Sequence, residues 1–214
     1  SGFCLFSNIA IAAKFALSKY KLGRILILDF DVHYGNGTQA AFCDDPRVLY
    51  ISTHQYPHYP GTGGIDETGG GQGAGTTLNI PLPAGCGDSE YLKVFREIII
   101  PAARHFKPQL VLVSAGYDAH WADELAMMEM TVAGFARMVR VIKEMADKLC
   151  SGRLVFSLEG GYNLVGLSSS VRATLGVLLG STTVEDPLGE SPHRVEAQDI
   201  TSLVERIKEI HKLP

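Results

Sequence analysis

Two hydrophobic periods alternate along the chain. Short apolar runs at 24–29, 47–52, 76–81, 109–114 and 153–158 have strand length and are rich in Ile, Val and Leu. Between and after them, apolar positions recur at helical spacing near 4–20, 88–106, 129–149, 164–180 and 199–212. The runs are continuous rather than alternating, as in strands buried on both faces. Strand and helix in turn predict an α/β fold, a three-layer α/β/α arrangement around a mostly parallel sheet. The segment 181–198, with Pro187, Gly189 and Pro192, predicts a surface loop before a last helix at 199–212. The pattern shows no internal repeat and predicts a single domain over 1–214.

Four of the strands run into polar clusters at their carboxyl ends, where open α/β sheets place their chemistry. Ile25-Leu26-Ile27-Leu28 leads into Asp29, Asp31 and His33 at alternate positions. Alternate strand residues share one side, so these three can converge at the strand mouth. The pattern reads either as a set of metal ligands or as a hydrogen-bonded loop. Val48–Ile51 runs into Ser52-Thr53-His54, Leu110–Val113 into Ser114-Ala115-Gly116-Tyr117-Asp118, and Leu154–Phe156 into Ser157-Leu158-Glu159-Gly160-Gly161-Tyr162. Polar loops are ordinary at strand ends; alternatively, the four ends build one crevice. In that case Asp118 completes an Asp-His-Asp set, and three protein ligands plus water is the open geometry of a catalytic zinc site.

Composition narrows the classes. The 214 residues are 46% hydrophobic and 20% charged, enough for a sizeable core. A net charge of -4 without a long basic run argues against direct nucleic-acid binding. Cys4, Cys43, Cys86 and Cys150 form no Cys-x-x-Cys pair, which fits reduced thiols in a cytoplasmic protein. No apolar run reaches membrane-spanning length, so no membrane partner is expected. Ser1-Gly2-Phe3-Cys4 lacks the charged start of a signal peptide and an initiating methionine, the expectation being a fragment or a processed chain. The glycine-rich Gly69–Gly75 precedes a strand-like run instead of following one, which reads as a loop and not as a dinucleotide fingerprint. Met127, Met128 and Met130 read as packing.

Taken together, the motifs resemble the histone deacetylase superfamily, in the branch of bacterial deacetylases, acetylpolyamine amidohydrolases and class II histone deacetylases. The matching stretches are Asp29–Thr38, Ser52–Gln55, Tyr59–Gly63, Leu78–Leu82, Ser114–His120 and Leu158–Tyr162, in order and spacing from residue 1 to about 180. The resemblance implies an arginase/deacetylase-type fold and zinc-dependent hydrolysis of acetyl-amides, with acetyl-lysine or acetylpolyamine as substrate. It implies one Zn²⁺ on Asp31, His33 and Asp118, with Tyr162 polarising the substrate carbonyl. Phe3 and Tyr59 match the aromatic walls of the acyl tunnel, Leu125 its rim, and Gly160 a carbonyl lining it. Asp29 and Asn36 match the partners of catalytic histidines. A structural potassium ion is implied at Asp29, Asp31, His33 and Ser52, and a second at the carbonyls of Phe42, Asp45 and Val48.

One departure is large. Family members carry Pro-Gly-His-His shortly before the segment seen here as Gly2-Phe3-Cys4, and those histidines serve as general base and electrostatic catalyst. None of the seven histidines here occupies that position. The chain therefore reads as N-terminally truncated relative to the family. His54 belongs to a motif usual in the family and reads as structural, while His58 stands where an aromatic is common. Two alternatives to a working deacetylase follow. One is a non-catalytic relic or fragment that keeps zinc and the acyl pocket. The other is a two-metal ureohydrolase, which needs a bridging carboxylate two residues past the metal histidine, where this chain has Gly35. A missing segment also predicts an uncovered face open to self-association.

Overall fold

The structure, a computed structural model, describes residues 5–192 and 196–214. Five parallel strands, β1 (Ile25–Asp29), β2 (Val48–Gln55), β3 (Thr77–Leu82), β4 (Leu110–Ala115) and β5 (Leu154–Leu158), pair in the order β3-β2-β1-β4-β5. The chain builds outward from β1 to β2 and β3, then returns to lay β4 on the other side of β1. Such a reversal opens a crevice at the carboxyl ends of the strands that flank it.

Helices cover both faces. Odd positions of β1, Ile25 and Ile27, pack with Val48, Tyr50 and Leu112 against α1 (Asn8–Lys19) and Phe42 of α2 (Asn36–Phe42). Even positions, Leu26 and Leu28, enter a larger core with Phe95, Ile98, Phe135, Val204 and Ile207. That core is closed by α3 (Asp88–Val94), α4 (Ile100–Phe106), α5 (Val132–Cys150) and α7 (Thr201–His211), while α6 (Leu164–Leu178) packs beside α5 through Val132, Ala136, Val139, Ala173 and Val177. The three-layer expectation is met. α1 and α5 are capped by the hydroxyls of Ser7 and Thr131, which accept from Ala10 N–H and Gly134 N–H.

Local departures have physical causes. The helix expected over 88–106 is three pieces, α3, a π-helical Phe95–Ile99, and α4, with Pro101 near the start of α4. Proline has no N–H to donate, and the wider turn accommodates it. The motif loop after His33 contains a short helix, α2, which the hydrophobic period did not announce. β2 runs three residues past the expected 47–52, to Gln55, because Thr53, His54 and Gln55 pair with β3 in register.

Candidate metal centre and active site

β1 ends at Asp29, and the chain crosses the carboxyl end of the sheet through Asp31 and His33. β4 ends at Ala115, and Asp118 follows three residues later. The donor atoms of Asp31, His33 and Asp118 all lie within 4.8 Å of one another, and no other such group occurs among the described residues. His33 Nδ1 stands 3.0 Å from Asp118 Oδ2 and 3.3 Å from Asp31 Oδ1. The outward oxygens are held by backbone: Gly160 N–H donates to Asp31 Oδ2 at 2.8 Å, and Val32 N–H to Asp118 Oδ1 at 2.9 Å. The carboxylates are thereby oriented before any ligand arrives.

Two glycines make the close approach possible. A Cβ on Gly160 would collide with Asp118 Oδ2 and come within 2.6 Å of Asp31 Oδ2. A Cβ on Gly116 would collide with Asp31 Oδ2 and come within 2.5 Å of the Asp31 Cα. Gly116 and Gly160 are therefore a spatial requirement of the donor cluster.

The electrostatics favour a cation. Burial, then the charge of Asp31, raises the Asp118 carboxyl to about 7. Burial works to lower His33, but hydrogen bonds to Asp118 and Asp31 outweigh it and raise the imidazole to about 10. Asp29 and Glu159 are also held above the ordinary carboxyl range, by burial first and by Asp31 next. Four acidic groups thus crowd one point. Two carboxylates and an imidazole, preorganised and short of positive charge, fit a zinc-type divalent ion with a coordination position left for water or substrate. No third carboxylate joins this donor group among the described residues, as a two-metal site would need.

Around the cluster, the structure places most of the sequence-derived residues. Asp29 lies behind it, accepting from Tyr50 O–H at 3.0 Å and Asp31 N–H at 3.2 Å. Asn36 starts α2 on the same loop. His58 stacks on His33 with ring centroids 5.1 Å apart, Tyr59 meets that ring edge-on at 6.3 Å, and Tyr162 does so at 6.5 Å. The His58 ring also reaches the Leu125 carbonyl, Nε2 to oxygen 3.0 Å. Leu125 and Tyr162 line an open cleft of about 340 Å³ with Ala122, Glu124, Asn163 and Leu164. Gly160 presents its N–H and Cα to the cluster, and its carbonyl accepts from Tyr117 N–H. Phe3 lies outside the described residues.

The residues named for potassium sit in two groups. Ser52 is buried with its hydroxyl 3.0 Å from His54 Nδ1, and the Asp29 carbonyl accepts from the Thr53 hydroxyl at 3.4 Å. The Phe42 and Asp45 carbonyls accept from Asp45 N–H and Val48 N–H in the turn before β2. His54 is fully buried, its Nε2 on the Gly63 carbonyl, and burial lowers it to about 4. Its structural reading holds.

His58, which stands where an aromatic is common and could approach the site mouth, stacks on a donor residue. One contact escaped the sequence. Asp123, beside the rim, accepts backbone N–H groups from the Tyr162 loop; nothing in the local sequence joins positions 39 and 40 residues apart.

Comparison with known proteins fits this geometry. The histone deacetylase domain model matches residues 1–178. Histone deacetylase 14, chloroplastic, of Arabidopsis thaliana is 48% identical over 214 residues, covering 99% of this chain and 51% of that protein. A probable deacetylase of Archaeoglobus fulgidus is 51% identical over 166 residues, covering 78% of this chain and 46% of that protein. Among solved structures, the histone deacetylase Clr3 superposes with a TM-score of 0.85 at 38% identity, covering 97% of this chain and 35% of that one. The HDA15 HD domain gives 0.83 at 37% identity, covering 99% and 57%. This chain belongs to the histone deacetylase domain family. It spans about half the length of the Arabidopsis and Archaeoglobus relatives.

Proposed function

We propose that the chain serves zinc-dependent hydrolysis of acetyl-amides, on acetyl-lysine or an acetylated polyamine. The observation that carries the reading is the convergence of Asp31, His33 and Asp118 with the Tyr162 ring edge-on to His33. Asp31, His33 and Asp118 would hold Zn²⁺, which would supply Lewis-acid activation of water and of the scissile carbonyl. Tyr162 donates its O–H to the developing oxyanion. His58 and Tyr59 wall the approach, and Leu125 forms its rim. The backbone N–H groups of Gly160 and Val32 hold the carboxylates in their working orientation. The base that takes the proton from water corresponds in the family to a histidine pair that residues 1–214 do not contain. Structural potassium at the Asp29–Ser52 and Phe42–Val48 positions belongs to the same reading.

Metal analysis and an acetyl-lysine reporter test this. One zinc per chain and turnover abolished by chelation are expected. Two metals, no metal after purification in zinc, or zinc with no turnover of any acetyl-amide would overturn it. Fusing a segment that bears the histidine pair ahead of Ser1 is expected to raise the rate by about 10²–10⁴.

We further propose that the chain self-associates. Among the described residues no strand pairs with the outer edge of β5, which carries no charged residue between Leu154 and Leu158, and Val155 and Leu158 are 50% and 56% exposed. An uncharged, apolar edge invites strand pairing. Light scattering is expected to give a mass above the 23.1 kDa monomer, and Val155→Lys to restore it. A monodisperse wild-type monomer would refute the idea.

A further inference from the structure

Asp123 is a charged side chain only 5% exposed, and no Lys, Arg or His faces it in an ion pair among the described residues. A buried carboxylate without a cation must be satisfied by hydrogen bonds. Here three backbone N–H groups do so. Oδ2 accepts from Tyr162 N–H at 2.6 Å and Asn163 N–H at 2.9 Å, and Oδ1 accepts from Leu125 N–H at 3.1 Å. The partners belong to two loops, one bearing the phenol and the other the rim of the cleft. Asn163 returns the contact, its Nδ2 donating to the Ala122 carbonyl at 2.9 Å. Its Oδ1 caps α6 by accepting from Gly166 N–H at 2.9 Å. The Tyr162 backbone is thus fixed on one side by Gly160, anchored to Asp31, and on the other by Asn163, anchored to α6.

We propose that Asp123 is the positioning residue for Tyr162, setting the distance between the phenol and the Asp31–His33–Asp118 cluster and holding the Leu125 rim in the same clamp. This rests on the role given to Tyr162 under the proposed function. Charge-assisted bonds from a carboxylate to backbone N–H are short and strong. A neutral amide in its place cannot serve all three donors, since its NH₂ opposes an N–H. The loop then loses at least one anchor, and the phenol leaves its working position. A misplacement of about 1 Å is worth about 10²-fold in rate.

Hydrogen exchange on the full chain gives a readout independent of turnover. The Tyr162 and Asn163 amides are expected to be protected in the wild type. In Asp123→Asn they should exchange at least about 10-fold faster, with the Ile27 and Val113 amides of the sheet unchanged. Unprotected Tyr162 and Asn163 amides in the wild type would overturn the inference, even if the variant fails to fold. In kinetics, Asp123→Asn is expected to lower kcat about 10²-fold with KM within about twofold. In a Tyr162→Phe background the same change should cost almost nothing, because one route is already lost. Additive losses would overturn the inference while leaving the function intact. If Tyr162→Phe alone has no effect on kcat, the oxyanion reading itself fails. If no acetyl-amide is turned over, the proposed function fails and the exchange result decides this inference.

Discussion

Asp118→Ala is expected to leave the protein without a stably bound metal. The side chain is fully buried, supplies Oδ2 to the donor cluster, and anchors Val32 N–H through Oδ1. Loss of an outer partner alone costs about 10–100-fold in metal affinity, and removal of a ligand should exceed that. Zinc content after dialysis checks it; one retained equivalent would exclude Asp118 as a ligand. The pH dependence sharpens the test. Metal-free Asp118 holds its proton up to about 7, well above its unfolded value, so the folded state binds an extra proton between about pH 4 and that point. The stability tied to that proton is lost as pH rises through the window. His33, raised to about 10, adds stability that is complete below about pH 6.5 and lost on the way up to 10. Zinc needs the same ligands deprotonated, so its affinity climbs where metal-free stability falls. The gain in Tm on adding zinc should therefore grow between about pH 5 and about pH 8. At a hundredfold excess over Kd it is worth about 2.7 kcal/mol. A gain that is flat with pH would contradict this assignment of the ligands.

Tyr162→Phe is expected to lower kcat by about 10²–10³ and to leave zinc bound. The phenylalanine keeps the ring beside His33 and removes only the donor. Tyr162 is 41% exposed, so the change should cost little stability. KM should move less than kcat, since the bond matters where charge develops. An unchanged kcat would remove Tyr162 from the chemistry.

Much of the architecture was legible because the strands are long apolar runs that end in chemistry. Asp31, His33 and Asp118 were readable from their places at two strand ends, before any three-dimensional information. The missing parts have a common cause. A π-helical turn such as Phe95–Ile99 keeps nearly the same apolar spacing as an α-helix, so periodicity cannot separate the two. The Asn36–Phe42 helix has Gly37 and a single motif's worth of residues, too few to show a face. Asp123 acts on main-chain N–H groups, which every residue carries, so no side-chain pattern marks its partners. The stacking of His58 depends on how the 56–61 loop folds onto His33, in the loop after β1.

The order of the strands has one more consequence. His33 and Asp118 are 85 residues apart in sequence, and β2, β3, α3 and α4 all lie between them. The cluster therefore exists only after β4 has found its place beside β1. A cation held by both loops acts as a reversible cross-link across that span. In the chain-entropy model used for disulfides, tying off a loop of roughly 100 residues counts for about 4.7 kcal/mol. The two halves of the sheet would then separate more slowly with metal present, and the unfolding rate of the chain becomes a clock that reads whether the seam between β1 and β4 is fastened.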